Sequence, residues 1–307
     1  MNTLKLLVIL LVLNAPFFAG AATFGANQIA WFDGVGDYIS VASNPDLMPE
    51  DEITIEAWIF PLRPDQHGWF ISKGDGQNSS SSRSYEFVAN GGVTGITVSL
   101  FLGTTNWALV SAPAAESNWL HVAVTYVSSS GICRLFTNGV LAVSTGLDAS
   151  GTSLLQGKRL RQTTLPLIFG GVPSAFARGG LDDVRIWRVA RNGALIQRDM
   201  TRRLTGSESN LVAYWTFENS NANDVTSHGH DGAFFGNVTT RPEVIRPPVP
   251  GTLAIQLYAG LTLTGSNALY SIQTLRACLK KDNIRMDAGM GSAWGWSGQK
   301  KRMNGLT

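Results

Sequence analysis

Ile53-Thr54-Ile55-Glu56-Ala57-Trp58-Ile59-Phe60 is the stretch that decides the fold. Successive side chains of a strand point to opposite faces, so Ile53, Ile55, Ala57 and Ile59 predict one apolar face. Thr54, Glu56, Trp58 and Phe60 fall on the other. The same alternation recurs at Tyr85, Phe87 and Ala89, at Ile96, Val98, Leu100 and Leu102, and at Leu120, Val122, Val124 and Tyr126. Strands with distinct faces belong to antiparallel sheets. Cys133–Thr137 and Val140–Thr145 flank Asn138-Gly139, a pair that readily takes the positive φ of a type I′ turn, which predicts a tight hairpin.

Further strands are expected at Ile29–Phe32, Tyr38–Val41, Trp69–Ser72, Leu165–Phe169, Leu181–Arg188 and Leu211–Phe217. The sum is an all-β chain, a two-sheet antiparallel β-sandwich of jelly-roll type. One helix is expected, over Gly193–Leu204. Asn192 can cap it, Ile196, Met200 and Leu204 recur at i, i+4 and i+8, and Gly206 stops it. Glycine numbers 33 and charged residues make up only 15%, as suits a turn-rich chain stabilised by a large apolar core.

The ends read differently. Residues 1–21 carry Lys5, the apolar run Leu6–Leu13, Pro16 and Ala19-Gly20-Ala21, the pattern of a signal peptide with a core too short to span a bilayer. This predicts a protein secreted or held in the cell envelope or periplasm, with no transmembrane segment after processing. The sandwich is expected over residues 22–240. Pro242, Pro247, Pro248 and Pro250 then mark a linker over residues 241–251. A short β-rich segment follows over residues 252–273, and a basic tail, expected to be poorly ordered, over residues 274–307. That tail holds seven Lys/Arg and two Asp/Glu, and without it and the leader the body has 16 basic and 20 acidic residues. A mildly acidic body offers no basic surface for nucleic acid. The two cysteines, Cys133 and Cys278, make no disulfide framework, although a bridge between them stays open.

Five fragments, in order, resemble the laminin-G-like family of concanavalin A-like lectin/glucanase domains. Trp31-Phe32-Asp33-Gly34-Val35-Gly36-Asp37-Tyr38-Ile39 is similar to that family's opening strand and turn, and Ile53–Ile59 to its next core strand. Asn118–Tyr126 with the Asn138-Gly139 hairpin resembles its central strands, and Gly179–Trp187 its closing strand. Tyr214-Trp215-Thr216-Phe217-Glu218 through His230-Asp231-Gly232 looks like a further element packed on the same domain. The resemblance implies a binding module for a glycan or glycosylated surface, in which calcium is common. A glycoside hydrolase or lyase on the same fold is the alternative, and a structural adhesion or envelope part is a third.

Asp33 and Asp37 share a glycine-bearing turn, and Asp182-Asp183 follows Gly179-Gly180. Ca²⁺ takes six to eight oxygens, so the four carboxylates are candidate ligands if the first and last strands bring them together. Ordinary Asp turns are the competing reading. Sugar rings stack apolar faces on flat aromatics while polar groups fix their hydroxyls. Trp69 with His67, and Trp107 with Asn106, combine these features and are candidate ligand contacts. Glu52 and Glu56 invite a catalytic reading, but the related glycosidases place an aspartate between two glutamates where this chain has Thr54, so no catalytic residue is assigned. His228-Gly229-His230-Asp231 is too short to complete a metal site alone. Asn78 and Asn237 match the glycosylation triplet.

Overall fold

The computed structural model describes residues 27–63, 67–74, 82–90, 95–172 and 175–245, together with the backbone of 253–256 and 262–265. The expected signal peptide, Asn78, Cys278 and the basic tail lie outside the described residues. The chain divides into two compact units, Met1–Pro247 and Pro248–Thr307. In the second, only an antiparallel hairpin of Leu253–Gln256 with Thr262–Gly265 is described.

The first unit is the sandwich. Its strands in chain order are β1 (Asn27–Asp33), β2 (Tyr38–Val41), β3 (Glu52–Pro61), β4 (Gly68–Lys73), β5 (Tyr85–Asn90) and β6 (Gly95–Leu102). Then come β7 (Asn106–Pro113), β8 (Leu120–Val127), β9 (Ile132–Thr137), β10 (Val140–Thr145), β11 (Leu167–Phe169), β12 (Gly171–Val172) and β13 (Ala175–Phe176). After β14 (Arg178–Trp187) and helix α1 (Gly193–Asp199) the chain closes with β15 (Leu211–Trp215), β16 (Gly232–Phe235) and β17 (Thr239–Glu243). The first sheet runs β10-β9-β8-β3-β14-β1-β17, with β15 also paired to β14. The second runs β16-β2-β11-β4-β5-β6-β7, with the β12–β13 hairpin against β4. Among the described residues every pairing is antiparallel except the β13–β4 contact.

The alternation places the core. Ile53, Ile55, Ala57 and Ile59, with Val122 and Val124 beside them on β8, join Ile96, Val98 and Leu100 of the other sheet in one cluster between the sheets. The opposite face of β3 is buried as well, which alternation could not reveal. Helix α1 lies on it, seating Ile196 against Ala123 and Phe136, and Trp58 Nε1 donates to the Met200 carbonyl at 2.7 Å.

Glu56 is therefore fully buried rather than a solvated glutamate of a polar face. It accepts from Trp187 Nε1 at 2.8 Å and Arg191 Nη1 at 3.0 Å, with Arg185 at 3.9 Å. Burial raises its pKa, and the two arginines oppose that. Removing one partner of such a buried pair strands the other charge.

Two boundaries move. The helix ends at Asp199, not Leu204. The proline-rich stretch does not begin at Arg241, because Arg241, Pro242 and Glu243 pair with β1. Pro242 is tolerated there because β17 is an edge strand that need not donate on its free side. The Tyr214–Gly232 element packs on the same unit as expected: Trp215 is fully buried in the core, and β16 extends the second sheet beside β2.

Candidate functional site

The candidate calcium ligands fall into two separate places. Asp33 Oδ1 accepts from the Val35 amide at 2.6 Å, while Asp37 accepts from the Asp33 amide at 3.1 Å and the Asn237 amide at 2.6 Å. These are local turn bonds, and Asp37 also anchors the β16–β17 turn. A Cβ on Gly236 would lie 2.8 Å from Asp37 Oδ1, so glycine is needed for that approach.

Asp182 and Asp183 sit inside β14, where the ladder to β3 slips between Asp182 and Arg185 and Asp183 takes φ +49°. Asp182 accepts from Asn27 Nδ2 at 2.6 Å; Asp183 accepts from the Tyr214 hydroxyl and lies 3.3 Å from Arg185. Asp33 pairs with Arg178, four residues from Asp182. At about 3.3 Å per strand residue the two groups are roughly 13 Å apart, too far to share one ion. The four carboxylates do not fit a single calcium. Among the described residues, no group of three or more His, Cys, Asp or Glu side chains is placed to hold a metal. His228 and His230 stack on one another, and His230 is buried with its carbonyl accepting from Trp215 Nε1.

The aromatic candidates lie on the outer face of the second sheet. Across β4–β7 the register aligns Trp69, Val88, Thr97 and Ser111 in one row, and Phe101 with Trp107 two rows along. Trp69 and Trp107 thus share a face but stand about 20 Å apart by strand spacing and rise. Trp69 is buried against Val88 and Val172, with exposed His67 edge-on at 4.4 Å between ring centroids. Partial burial lowers the His67 pKa. Serines 72 and 99 and Glu86 in the middle of the face are also buried.

The open part is the β7 side. Trp107 is 39% exposed and Leu109 46%. Trp107 sits in a frame that the sequence did not reveal. The Ala149 amide donates to the Trp107 carbonyl at 2.9 Å, tying the loop after β10 to this corner. Asp148 organises that loop. It accepts from the Ser150 hydroxyl at 2.6 Å, from the Thr152 and Ser153 amides at 3.2 Å, and from Asn106 Nδ2 at 3.3 Å. These bonds, the Ser150 hydroxyl foremost, hold its carboxyl well below the usual carboxylate range.

On the other side, Arg83 and Arg161 place their guanidinium groups 4.9 and 5.8 Å from the Phe101 ring. Arg161 also donates to the Gly103 and Thr104 carbonyls at 2.8 Å, fixing the turn before Asn106. The result is an exposed indole on the outer face of β7, its backbone carbonyl tied to the loop that Asp148, Ser150 and Thr152 organise, while Asn106 meets Asp148 from the opposite face of the strand. Trp107 and Asn106 were readable as an aromatic–amide pair; Asp148 and its hydroxyls, about forty residues on, carried no signal.

Glu52 and Glu56 take no part in this face. Glu52 accepts from the Ala190 amide at 3.1 Å, and Glu56 is enclosed beneath α1. They offer no carboxylate pair to a substrate.

Comparison with known proteins agrees with this architecture. Among solved structures, a candidate carbohydrate-binding protein from Bacteroides ovatus ATCC 8483 is 17% identical with a TM-score of 0.55, the match covering 72% of this chain and 62% of that one. The chain thus spans less than two thirds of that protein. A heptameric SAP-like pentraxin from Limulus polyphemus is 13% identical with a TM-score of 0.46, over 71% of this chain and 95% of that one. The CBM40 of the Ruminococcus gnavus IT-sialidase, bound to α2,3-sialyllactose, is 16% identical with a TM-score of 0.42, over 58% and 98%. At 17% identity the likeness to the Bacteroides ovatus protein is one of fold. No curated protein matches the chain. Residues 33–197 match the laminin-G type of the concanavalin A-like lectin/glucanases superfamily, and the chain belongs to that superfamily.

Proposed function

We propose that this chain is an exported, non-catalytic binding module whose ligand is a glycan or glycosylated surface, held at the Trp107 corner of the second sheet. The observation that carries the reading is one exposed indole on a strand end whose backbone is tied to a loop of carboxylate and hydroxyl bonds that need no ligand to form. Such preorganisation matches sugar recognition, in which a flat apolar surface takes the ring and fixed polar groups take its hydroxyls. The superfamily and the fold shared with the Bacteroides ovatus protein support it. A glycosidase needs two carboxyl groups about 5–10 Å apart around the scissile bond. Asp148 stands at this corner already saturated with donors, which supports binding rather than hydrolysis.

The test is a glycan array followed by titration of the best hit. The native protein is expected to bind, and Trp107→Ala to lose about tenfold or more in affinity while keeping the native circular-dichroism spectrum, a change of about 1.4 kcal/mol or more. Chelator is expected to leave binding unchanged, because the four candidate carboxylates do not converge. Unchanged affinity in Trp107→Ala would remove the corner as the site. Reducing-sugar release from a polysaccharide panel would make the protein an enzyme.

A further inference from the structure

A sheet that does not close into a barrel leaves edge strands with unpaired backbone groups, and folded proteins blunt these with bulges, charges, proline or brevity. The edges of this sandwich can be compared. In the first sheet, β10 carries a bulge between Leu141 and Val143, and β17 carries Arg241, Pro242 and Glu243. In the second, β16 has only four residues. The free flank of β15 is covered where the Val225 amide donates to the Tyr214 carbonyl at 2.8 Å.

β7 has almost none of these devices. It is eight residues long, keeps an unbroken register with β6, and reads Asn-Trp-Ala-Leu-Val-Ser-Ala-Pro without a charge. Its exposed side chains are Trp107, Leu109, Ser111 and Pro113. Because the Trp107 carbonyl accepts from Ala149, it points away from β6. Backbone groups alternate along an antiparallel strand, so those of Leu109 and Ser111 point outward too. No hydrogen bond fills them among the described residues.

We propose that β7 pairs with β7 of a second copy of this chain, antiparallel and about a two-fold axis at Ser111. The loop at Ala149 already occupies the Trp107 end, which confines pairing to Leu109–Pro113. Ser111 then exchanges a reciprocal pair of N–H···O=C bonds with Ser111 of the other copy. The Leu109 amide donates to the Pro113 carbonyl, twice by symmetry. Proline is acceptable there because only its carbonyl is used. The contact is isologous and closes on itself, which yields a dimer rather than a fibre. The two second sheets become one, with both Trp107 corners on the same face, about 26 Å apart along the strands. That arrangement would bind a repeating surface bivalently, a consequence that rests on the proposed function, whereas the pairing does not.

Sedimentation equilibrium and disulfide trapping test it on the full chain. The native protein is expected to dimerise at concentrations up to about 100 μM, and Ser111→Lys, with like charges facing across the axis, to be monomeric with an unchanged circular-dichroism spectrum. Ser111→Cys is expected to form an intermolecular disulfide under mild oxidation, above any level the native chain forms. Leu109→Cys is not, since its copies would lie about 13 Å apart and a disulfide needs Cα atoms within about 7 Å. A monomeric native protein, a Ser111→Lys dimer, or equal trapping of the two cysteine variants would each overturn the pairing. Loss of glycan binding with the dimer intact would overturn only the proposed function.

Discussion

Single residues explain why Asp182 and Asp183 read as metal ligands and do something else. Both lie in β14, where one ladder slip and a left-handed Asp183 turn their carboxyl groups to different partners. Burial first, and then Asp183, raise the Asp182 carboxyl well above its ordinary 3.8, and the Asn27 bond opposes this. The native chain thus holds a proton there that the unfolded chain releases above about pH 3.8, so the stability from this group is full in acid and declines as pH rises. Asp182→Asn keeps an oxygen for Asn27 and removes the titration. It is expected to raise the melting temperature at pH 7 by about 2–4 °C for a gain of about 1 kcal/mol, an advantage that fades toward pH 4. A variant less stable than the native protein at pH 7 would show that ionised Asp182 is wanted. The same scale separates the tryptophans. Trp69 and Trp107 occupy the same face with similar local sequence signals, yet Val88 and Val172 bury one while the other stays open.

Elements were legible where one local rule suffices. The Asn138-Gly139 turn has φ of +50° and +76°, as a type I′ hairpin demands, and α1 starts with Asn192 accepting from the Leu195 amide at 2.9 Å. A Cβ on Gly139 would also lie 2.6 Å from Gln197 Cβ and 2.8 Å from its Cα. Gly139→Ala is therefore expected to destabilise the protein by about 2 kcal/mol or more, from positive φ and from displacement of the helix together. Urea unfolding checks this, and a loss below about 0.5 kcal/mol would mean that α1 yields freely. The helix end was not legible. Ile196, Met200 and Leu204 keep helical spacing but join three different clusters, with Phe136, with Trp58, and with Trp187 and Tyr214. Buried Arg185 takes the Asp199 and Arg202 carbonyls, bonds that belong to an irregular turn rather than to another turn of helix.

At the scale of the whole first unit, residues beyond the superfamily match complete the sandwich. The match ends at residue 197, yet β15 joins β14, β16 joins β2 and β17 joins β1, so both sheets depend on them. Trp215 brings a fully buried indole into the core against Phe169. Ending the chain at Asn210 is thus expected to abolish cooperative thermal unfolding, and a sharp transition in that truncated protein would show that residues 27–210 suffice. The sequence by itself determined the alternating faces, the hairpin turn and the helix cap, because each rests on side-chain period or on the φ preference of one or two residues, while the superfamily was legible as a resemblance of five fragments in order. Only the tertiary structure decided that the outer face of β3 is buried around Glu56, that the two aspartate turns stand apart, and that Trp107 rather than Trp69 is open beside Asp148. Those outcomes depend on strand order, register and what lies across a face. They arise between residues far apart in the chain, where no periodicity or local propensity carries information.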